Sequence, residues 1–328
     1  METDDPEDLA SPEERTVPAY DQLPEGPDGG RIAWGLWGEG ESVGRLRLQT
    51  PGRVAEAART VRKGAVFALD AAIDAVDPPL NARRGLPRHR VLHEPGPGLA
   101  ATDDVWDNFY PQTSSQWDSL AHVAYQPGRF YNGATDEDVL AGRRNTVDHW
   151  ARRGIAGRGV VLDVARHLDS RPQDAAAYSV ADLERVRRVQ GVEYSEGCVI
   201  LLHTGFLAWY TGSSRAERQR TCSPLRAPGV EHTEEMARYL WDSGAAAVTS
   251  DTYAVEVWPP DWSDAALPWG FLHRVLIGAL GFALGELWDL GALAADCAAD
   301  GVYDCFVCSA PLHAPGGIGS PANALAIK

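Results

Sequence analysis

The sequence predicts an α/β fold in which helices surround a mixed β-sheet. Three short apolar runs, at 159–163, 198–203 and 246–251, have the length and continuity of strands that are buried on both faces. Segments with helical caps and helical periodicity lie between these runs. Buried strands that alternate with helices are typical of a sheet covered by helices.

The first elements are expected to follow a polar tail. Residues 1–28 are rich in Asp, Glu, Pro and Gly, so ordering them would bury too little apolar surface to offset the entropy lost, and a disordered acidic tail is expected. A helix is expected over 51–64, because Thr50 can cap it and a proline occupies its first position. The stretch 77–90 is expected to be a loop, and 91–94 a short strand.

The later elements are framed by capping residues and glycines. Helices are expected just after Thr135 and over 145–153, 179–190, 233–243, 272–285 and 291–299. A further strand is expected over 303–309. Neither an internal repeat nor an interdomain linker is recognisable, so residues 29–328 are expected to form one domain.

Composition narrows the class of function. A chain of 328 residues with 44% hydrophobic content can bury a large core. Its formal charge of −16 disfavours nucleic acids and anionic lipid surfaces, because the averaged field repels polyanions, and a small-molecule substrate is expected. The N-terminus is acidic where a secretory signal is basic, and no apolar run approaches the roughly 20 residues that span a bilayer, so a cytoplasmic location is expected.

The cysteines do not indicate disulfides or a zinc site. There are 5, an odd number in a chain without an export signal. Cys305 and Cys308 form a CxxC pair, but they lie in a predicted strand, where residues three apart face opposite sides. Core packing is therefore expected for both.

The candidate chemistry is concentrated at 112–122. In an extended segment Gln116, Asp118 and His122 point to one face, which brings an amide, a carboxylate and an imidazole together. Together with Tyr131-Asn132-Gly133, the run from 150 to 163 and the segment 316–321, this stretch resembles the cyclase family that includes bacterial kynurenine formamidase and isatin hydrolase. The resemblance covers about residues 32–328 and implies the swivelling β/β/α fold of that family.

The family signature is HxGTHxDxPxH, in which two histidines and the aspartate bind a divalent metal and the last histidine lies in the catalytic pocket. Aligned on the aspartate, Asp118 and His122 match, while Gln112 and Gln116 stand where the two metal-binding histidines belong. An amide oxygen can ligate a hard ion but is a poor substitute for imidazole on zinc. The resemblance therefore implies one divalent ion (Mn, Zn or Mg), and the glutamines leave open that none is bound.

The family site also contains a histidine followed about one helix length later by a glutamate, and His273 and Glu286 match this pair. A straight helix would separate them by about 20 Å. Both can serve one site only if the helix ends before Glu286, which Gly281 and Gly285 permit, or if each reaches a different subunit. The alternative is a helix-surface histidine and a capping glutamate.

The resemblance implies a hydrolase that cleaves a C–N bond of an amide, formamide or cyclic imide, or the C–O bond of a lactone. His122 is expected to act as the acid/base, with Asp118 and Glu286 as the other catalytic residues. One alternative is a metal-independent cyclase or dehydratase of secondary metabolism that uses His122 and Asp118. Another is a small-molecule-binding protein without activity, and an ordinary histidine beside a loop is the structural alternative for His122.

Further residues are expected near the pocket. Trp117 and Tyr131 are candidate walls, and His203 and Asp251 end buried strands, where α/β proteins place ligand contacts; a purely structural role is the alternative for each. Enzymes of this family are generally oligomers, and 11 tryptophans are more aromatic surface than a monomer readily hides. A homodimer or homotetramer is therefore expected.

Overall fold

The computed structural model describes residues 16–328, so the first part of the expected tail, residues 1–15, lies outside the described residues. In the second part, Tyr20 and Leu23 are buried in the main hydrophobic core. The backbone N–H of Tyr20 donates a hydrogen bond to Asp242 Oδ1 at 2.8 Å. The prediction of disorder is wrong for this part of the tail, because a few apolar side chains fix it to the body of the protein.

The helices are short. Their bounds are α1 (Pro51–Ala57), α2 (Asp136–Leu140), α3 (Val147–Arg153), α4 (Val164–His167), α5 (Val180–Gln190), α6 (Phe206–Gly212), α7 (Arg215–Thr221), α8 (Glu234–Asp242) and α9 (Gly291–Asp300). Within residues 16–328, none of the helices is long and apolar enough to cross a membrane.

In the described part of the chain the strands form one large sheet and two small ones. Their bounds are β1 (Val66–Ala68), β2 (Arg88–Gly96), β3 (Leu99–Asp107), β4 (Gln116–Asp118), β5 (Ile155–Asp163), β6 (Ala177–Tyr178), β7 (Val199–His203), β8 (Gly229–Val230), β9 (Ala247–Ser250), β10 (Ala283–Glu286), β11 (Asp304–Ser309), β12 (Gly319–Pro321) and β13 (Ala324–Ile327).

Within residues 16–328 the large sheet has nine strands, in the order β1-β13-β11-β5-β7-β9-β10-β4-β12. Its centre, β5-β7-β9-β10, is parallel, and the strands on both sides of this centre pair antiparallel. The connections of the parallel strands run through α5 and α8, which pack their apolar residues towards the sheet. The predicted mixed sheet with surrounding helices is confirmed.

Capping residues set the helix boundaries that the sequence predicted. The Thr50 hydroxyl accepts a hydrogen bond from Arg53 N at 3.4 Å at the start of α1. Ser179 and Asp182 form a capping box at the start of α5. The first helix is shorter than expected, however, because α1 ends at Ala57 and continues only as one 3-10 turn to Thr60.

The segment 272–285 departs most from its prediction. Instead of one helix it contains a π-helical stretch, Arg274–Ala279, followed by a turn and the strand β10. Gly281 makes the turn with φ of +73°, and a Cβ at this position would lie 2.5 Å from the ring of Tyr131. A short apolar run fits a buried helix and a buried strand equally well, so periodicity did not separate the two.

A hairpin of two nine-residue strands was also missed. β2 pairs with β3 over its whole length: Arg88 lies opposite Asp107 at one end, and Gly96 lies opposite Leu99 at the other. Only 91–94 was expected to be extended, and the loop prediction for 77–90 is wrong at its last three residues. The described side chains of both strands are solvent-exposed apart from the half-buried Val105, so no apolar alternation marks the strands in the sequence.

Of the two cysteines for which core packing was predicted, one lies in the core and the other only partly so. Cys305 is buried and Cys308 is half-buried on the alternating pattern of β11, and both are free thiols.

Candidate active site

Adjacent strands bring the predicted carboxylates together. β4 and β10 pair antiparallel with Glu286 opposite Gln116 and Leu284 opposite Asp118. Because side chains alternate along a strand, Gln116, Asp118 and Glu286 share one face of the sheet. All three are buried.

His273 joins this group from the residue before the π-helical stretch. The turn at Gly281 reverses the chain, and His273 Nε2 lies 3.0 Å from Glu286 Oε1. One ligand atom each of Asp118, His273 and Glu286 lie within 4.8 Å of one another. His273 and Glu286 therefore meet within one chain. The helix ends before Glu286, which is the first of the two arrangements that the sequence left open.

Two glutamines link the carboxylates. Gln112 Nε2 donates to Asp118 Oδ1 and lies 2.9 Å from His122 Nδ1. Gln116 Nε2 donates to Glu286 Oε2 at 3.0 Å and to Asp118 Oδ2 at 3.4 Å. In the described part of the chain Gln116 Oε1 is buried without a hydrogen-bond partner. This leaves an unused oxygen ligand beside the carboxylates.

His122 lies in the turn after β4 and not within the strand, and its side chain is 24% exposed. Its Nε2 is 3.7 Å from Asp118 Oδ1. Burial lowers the pKa of His122, and the negative charge of Asp118 offsets this only in part. The ring is therefore neutral near pH 7, and because Nδ1 accepts the hydrogen bond from Gln112, its proton is on Nε2.

Glu256 holds His273 in place. Its carboxylate accepts hydrogen bonds from His273 Nδ1 and from the backbone N–H groups of Leu272 and His273, the latter at 2.9 Å. Burial lowers the pKa of His273, but Glu256 and Glu286 outweigh it and raise the pKa to about 10. Burial raises the pKa of Glu256, but the neighbouring His232 and His273 lower it below its usual range. The two therefore form a charged pair.

Sequence reasoning missed several residues of this group. His232 Nε2 lies 3.1 Å from Glu256 Oε2, and Arg84 donates to the backbone oxygen of Gln112. Burial and the negative charge of Glu286 raise the pKa of Tyr253 to about 12, so the hydroxyl group of Tyr253 also lies near the carboxylates. The available signal was Glu256 itself, a lone acid inside the run Tyr-Ala-Val-Glu-Val-Trp. Arg84 lies in a loop without any pattern.

His203 and Asp251 form a separate group. His203 Nδ1 lies 2.8 Å from Asp163 Oδ1, and its Nε2 is 3.9 Å from Asp251 Oδ2. Within residues 16–328 neither a hydrogen bond nor an ion pair joins this group to Asp118 or Glu286.

The structure places the two predicted aromatic walls in the core instead. Trp117 points away from Asp118 because side chains alternate along β4, and its ring packs edge-on against Trp150 and Trp288. Tyr131 is 1% exposed and lies against Gly281, with its hydroxyl 3.5 Å from Glu41. The prediction of pocket walls is wrong for both residues.

Comparisons with known proteins agree with this fold. The family model named Cyclase matches residues 42–257, which is more than half of the chain. No curated protein sequence matches the chain.

Solved structures give the same picture. A crystal structure described as a novel cyclase superposes with a TM-score of 0.81 and 27% identity over 90% of this chain and 99% of that chain. Isatin hydrolase A from Labrenzia aggregata, bound to benzyl benzoate, gives a TM-score of 0.56 at 18% identity and covers 82% of this chain and 94% of its own. Isatin hydrolase A from Ralstonia solanacearum gives 0.55 at 18% identity, with 85% and 97% covered. At these identities the two isatin hydrolases establish similarity of fold.

Proposed function

The chain belongs to the Cyclase family, and from this premise we propose that it is a hydrolase of small carbonyl compounds. The bond cleaved is the C–N bond of an amide, formamide or cyclic imide, or the C–O bond of a lactone. His122 acts as the acid/base, and the group formed by Asp118, His273 and Glu286 is the catalytic centre.

One observation carries this proposal. A neutral, partly exposed imidazole lies 3.7 Å from a buried carboxylate that is itself part of a group of three potential metal ligands. A neutral histidine beside a carboxylate can exchange a proton with substrate near pH 7. The isatin hydrolases, whose fold is similar, are described by their names as hydrolases of a cyclic carbonyl compound.

The residues present fit a hard divalent cation. Asp118 and Glu286 offer carboxylate oxygens, His273 offers Nε2 once the cation has displaced its proton, and the buried Oε1 of Gln116 has no other partner in the described part of the chain. A ligand set rich in oxygen suits Mg²⁺ or Mn²⁺ better than Zn²⁺. Bound there, such an ion would polarise the substrate carbonyl and make a water molecule more acidic.

The side chains supply the proton transfers. As the attacking water forms the new C–O bond, the neutral ring of His122 accepts its proton at Nδ1, in place of the hydrogen bond from Gln112. The imidazolium then gives its Nε2 proton to the leaving nitrogen or oxygen as the C–N or C–O bond breaks, so the ring ends neutral. Gln112 fixes the tautomer by its hydrogen bond to Nδ1, and Asp118 stabilises the imidazole whenever it is charged.

A second candidate, the metal-independent cyclase or dehydratase, is favoured by a different observation. With a pKa raised to about 10, His273 is a cation that already balances Glu286 without a metal. In that case Gln112 couples His122 directly to Asp118. Chelator-resistant turnover without net addition of water would support this candidate.

The decisive test is an assay of the purified protein on formylkynurenine, isatin and simple lactones, before and after dialysis against a chelator. The proposal expects hydrolysis of at least one of these classes, loss of activity with chelator, and recovery on adding Mn²⁺ or Mg²⁺. Absence of hydrolysis of all of them by the metal-loaded protein would contradict it.

We further propose that the active enzyme is a homodimer or homotetramer. Trp106 and Trp262 are 40% and 67% exposed, which supports an aromatic contact surface. If assembly completes the site, dilution lowers specific activity together with the size measured by sedimentation. A fully active monomer at assay concentration would contradict this.

A further inference from the structure

A cavity of about 520 Å³ lies apart from the proposed active site. It is lined by the start of β5 at 156–158, the loop 195–198 that precedes β7, and the helix α1 with the turn that follows it. β5, β7, β9 and β10 run parallel, so the cavity is at the amino ends of the central strands. Glu286 is at the carboxyl end of β10, so the cavity and the proposed active site lie at opposite ends of the parallel strands.

A buried amide donor faces this cavity without a partner. Gln49 is 2% exposed, and its Oε1 accepts a hydrogen bond from Ala156 N at 3.3 Å, which fixes the orientation of the amide. Its Nε2 makes no hydrogen bond within residues 16–328. The neighbouring wall residue is Gly157, where a Cβ would lie 3.0 Å from that Nε2, so no side chain covers the amide from this side. A buried donor without an acceptor is costly unless a ligand or water satisfies it.

The cavity is basic although the protein is acidic. Its wall carries four arginines, Arg53, Arg59, Arg62 and Arg158, and two glutamates, Glu56 and Glu196. Arg53 pairs with Glu196, and Arg158 pairs with Asp304 at 2.5 Å. Arg59 and Arg62 are exposed and form no ion pair with any described residue. With these two pairs set aside, Arg59 and Arg62 outnumber the remaining wall acid, Glu56, and leave a net positive charge beside the free amide donor. In a chain with a formal charge of −16, this local excess favours an anion.

We propose that this cavity binds a small organic anion through a phosphate or carboxylate group. Gln49 Nε2 donates to the anionic group at the floor of the cavity, and Arg59 and Arg62 contact it from the rim. Arginine guanidinium groups suit both anions because they donate two parallel hydrogen bonds. The cavity is larger than a bare phosphate or carboxylate ion, which leaves room for an organic portion along Val54 and Ala57.

Calorimetric titration with inorganic phosphate and with succinate, at constant ionic strength, tests this site. The wild-type protein should bind at least one of the two, and the stronger binder identifies the anionic group. The double variant Arg59→Ala/Arg62→Ala should bind at least about tenfold more weakly, because charge-assisted hydrogen bonds are lost. Arg171→Ala, which removes an arginine that is 76% exposed elsewhere, is the matched control and should bind like the wild type.

A second pair of variants separates this site from the active site. Gln49→Glu keeps the oxygen that Ala156 N needs but places a negative charge at the floor, so anion binding should be lost. Glu286→Gln changes only the proposed catalytic group and should leave anion binding unchanged. Binding that survives both Arg59→Ala/Arg62→Ala and Gln49→Glu, binding that disappears in Glu286→Gln, or no binding by the wild type at millimolar anion would each overturn the proposal.

Discussion

Two histidines of this protein each lie between two buried carboxylates, but the two groups differ in what else those carboxylates bind. His273 lies between Glu256 and Glu286, and His203 lies between Asp163 and Asp251. Asp251 accepts hydrogen bonds from Thr204 N at 2.6 Å, Thr204 Oγ1 at 2.7 Å and Gly205 N at 2.7 Å. It therefore holds the turn between β7 and α6.

The carboxylates of Asp118 and Glu286 have different partners. Within residues 16–328 their hydrogen bonds come from side chains, chiefly Gln112, Gln116 and His273. A side-chain donor can rotate away when a ligand arrives, whereas a backbone donor cannot leave without unfolding its turn. Glu256 resembles Asp251 in this respect, because it accepts hydrogen bonds from the backbone N–H groups of Leu272 and His273. The comparison therefore separates Asp118 and Glu286, which are free to do chemistry, from carboxylates that hold the backbone.

The largest expected effect concerns the two imidazoles. His122→Ala should lower turnover by about 10²–10⁴-fold, the usual contribution of a general acid/base. His203→Ala should leave the turnover of the folded protein nearly unchanged. Steady-state kinetics combined with circular dichroism measures both. A folded His122→Ala protein with full turnover, or one that does not fold, would refute the assignment of His122.

For stability the expected order is reversed, so that a substitution in the structural group should cost more free energy of unfolding than one in the proposed active site. Asp251→Asn should lower the free energy of unfolding by roughly 1.5–3 kcal/mol, because an amide cannot accept all three hydrogen bonds and lacks the charge. Glu286→Gln has side-chain partners that can rearrange, and it should cost less than about 1 kcal/mol. Urea denaturation gives both values. Equal losses would remove the distinction between the two groups.

The glutamine beside the carboxylates allows a test of whether this group can bind a metal. Gln116→His should raise zinc affinity at least about tenfold, since imidazole nitrogen is a better donor to zinc than an amide oxygen. Gln22→His, an exposed change far from the carboxylates in sequence, is the control and should not raise it. Competition with a chromogenic chelator measures the affinities. Stoichiometric zinc that survives dialysis against chelator in the unmodified protein would contradict the ligand argument.

The smallest effect is the pH dependence of the structural group. Burial alone would lower the pKa of His203, but the negative charges of Asp163 and Asp251 outweigh burial, and the pKa is raised. Burial alone would raise the pKa of Asp163, but His203 and Arg166 outweigh burial, and this pKa is lowered. The raised histidine pKa adds stability below the unfolded value, near 6.5, that is lost as pH rises through the folded value. The lowered aspartate pKa adds stability that is lost as pH falls through its folded value.

His203→Gln should therefore cost most, on the order of 1 kcal/mol, between about pH 4 and 6.5, and progressively less above this range. Chemical denaturation of both proteins across pH 3–9 measures the difference. A difference that does not vary with pH would mean that the ion pair contributes no stability.

The sequence was sufficient for the central strands, because β5, β7 and β9 are apolar runs with the length of strands covered on both faces and lie between well-capped helices. Through the resemblance it also singled out Asp118, His273 and Glu286 as candidate site residues, and the structure brings their ligand atoms within 4.8 Å of one another. It did not reveal how the last two meet, because that depends on the turn at Gly281 and the pairing of β10 with β4. Glu256 was marked only as a lone acid inside an apolar run, and its pairing with His273, like the contact of Arg84 with Gln112, depends on how loops fold back on the strands.

Metal content tests the central claim most directly. The purified wild type and Asp251→Asn should both take up stoichiometric Mn²⁺, measured by elemental analysis after gel filtration, since neither changes a proposed ligand. Asp118→Asn and Glu286→Gln should take up much less while remaining folded. If these two variants retain as much metal as the wild type, or if the wild type binds none, Asp118, His273 and Glu286 are not the metal ligands and this account of the site is wrong.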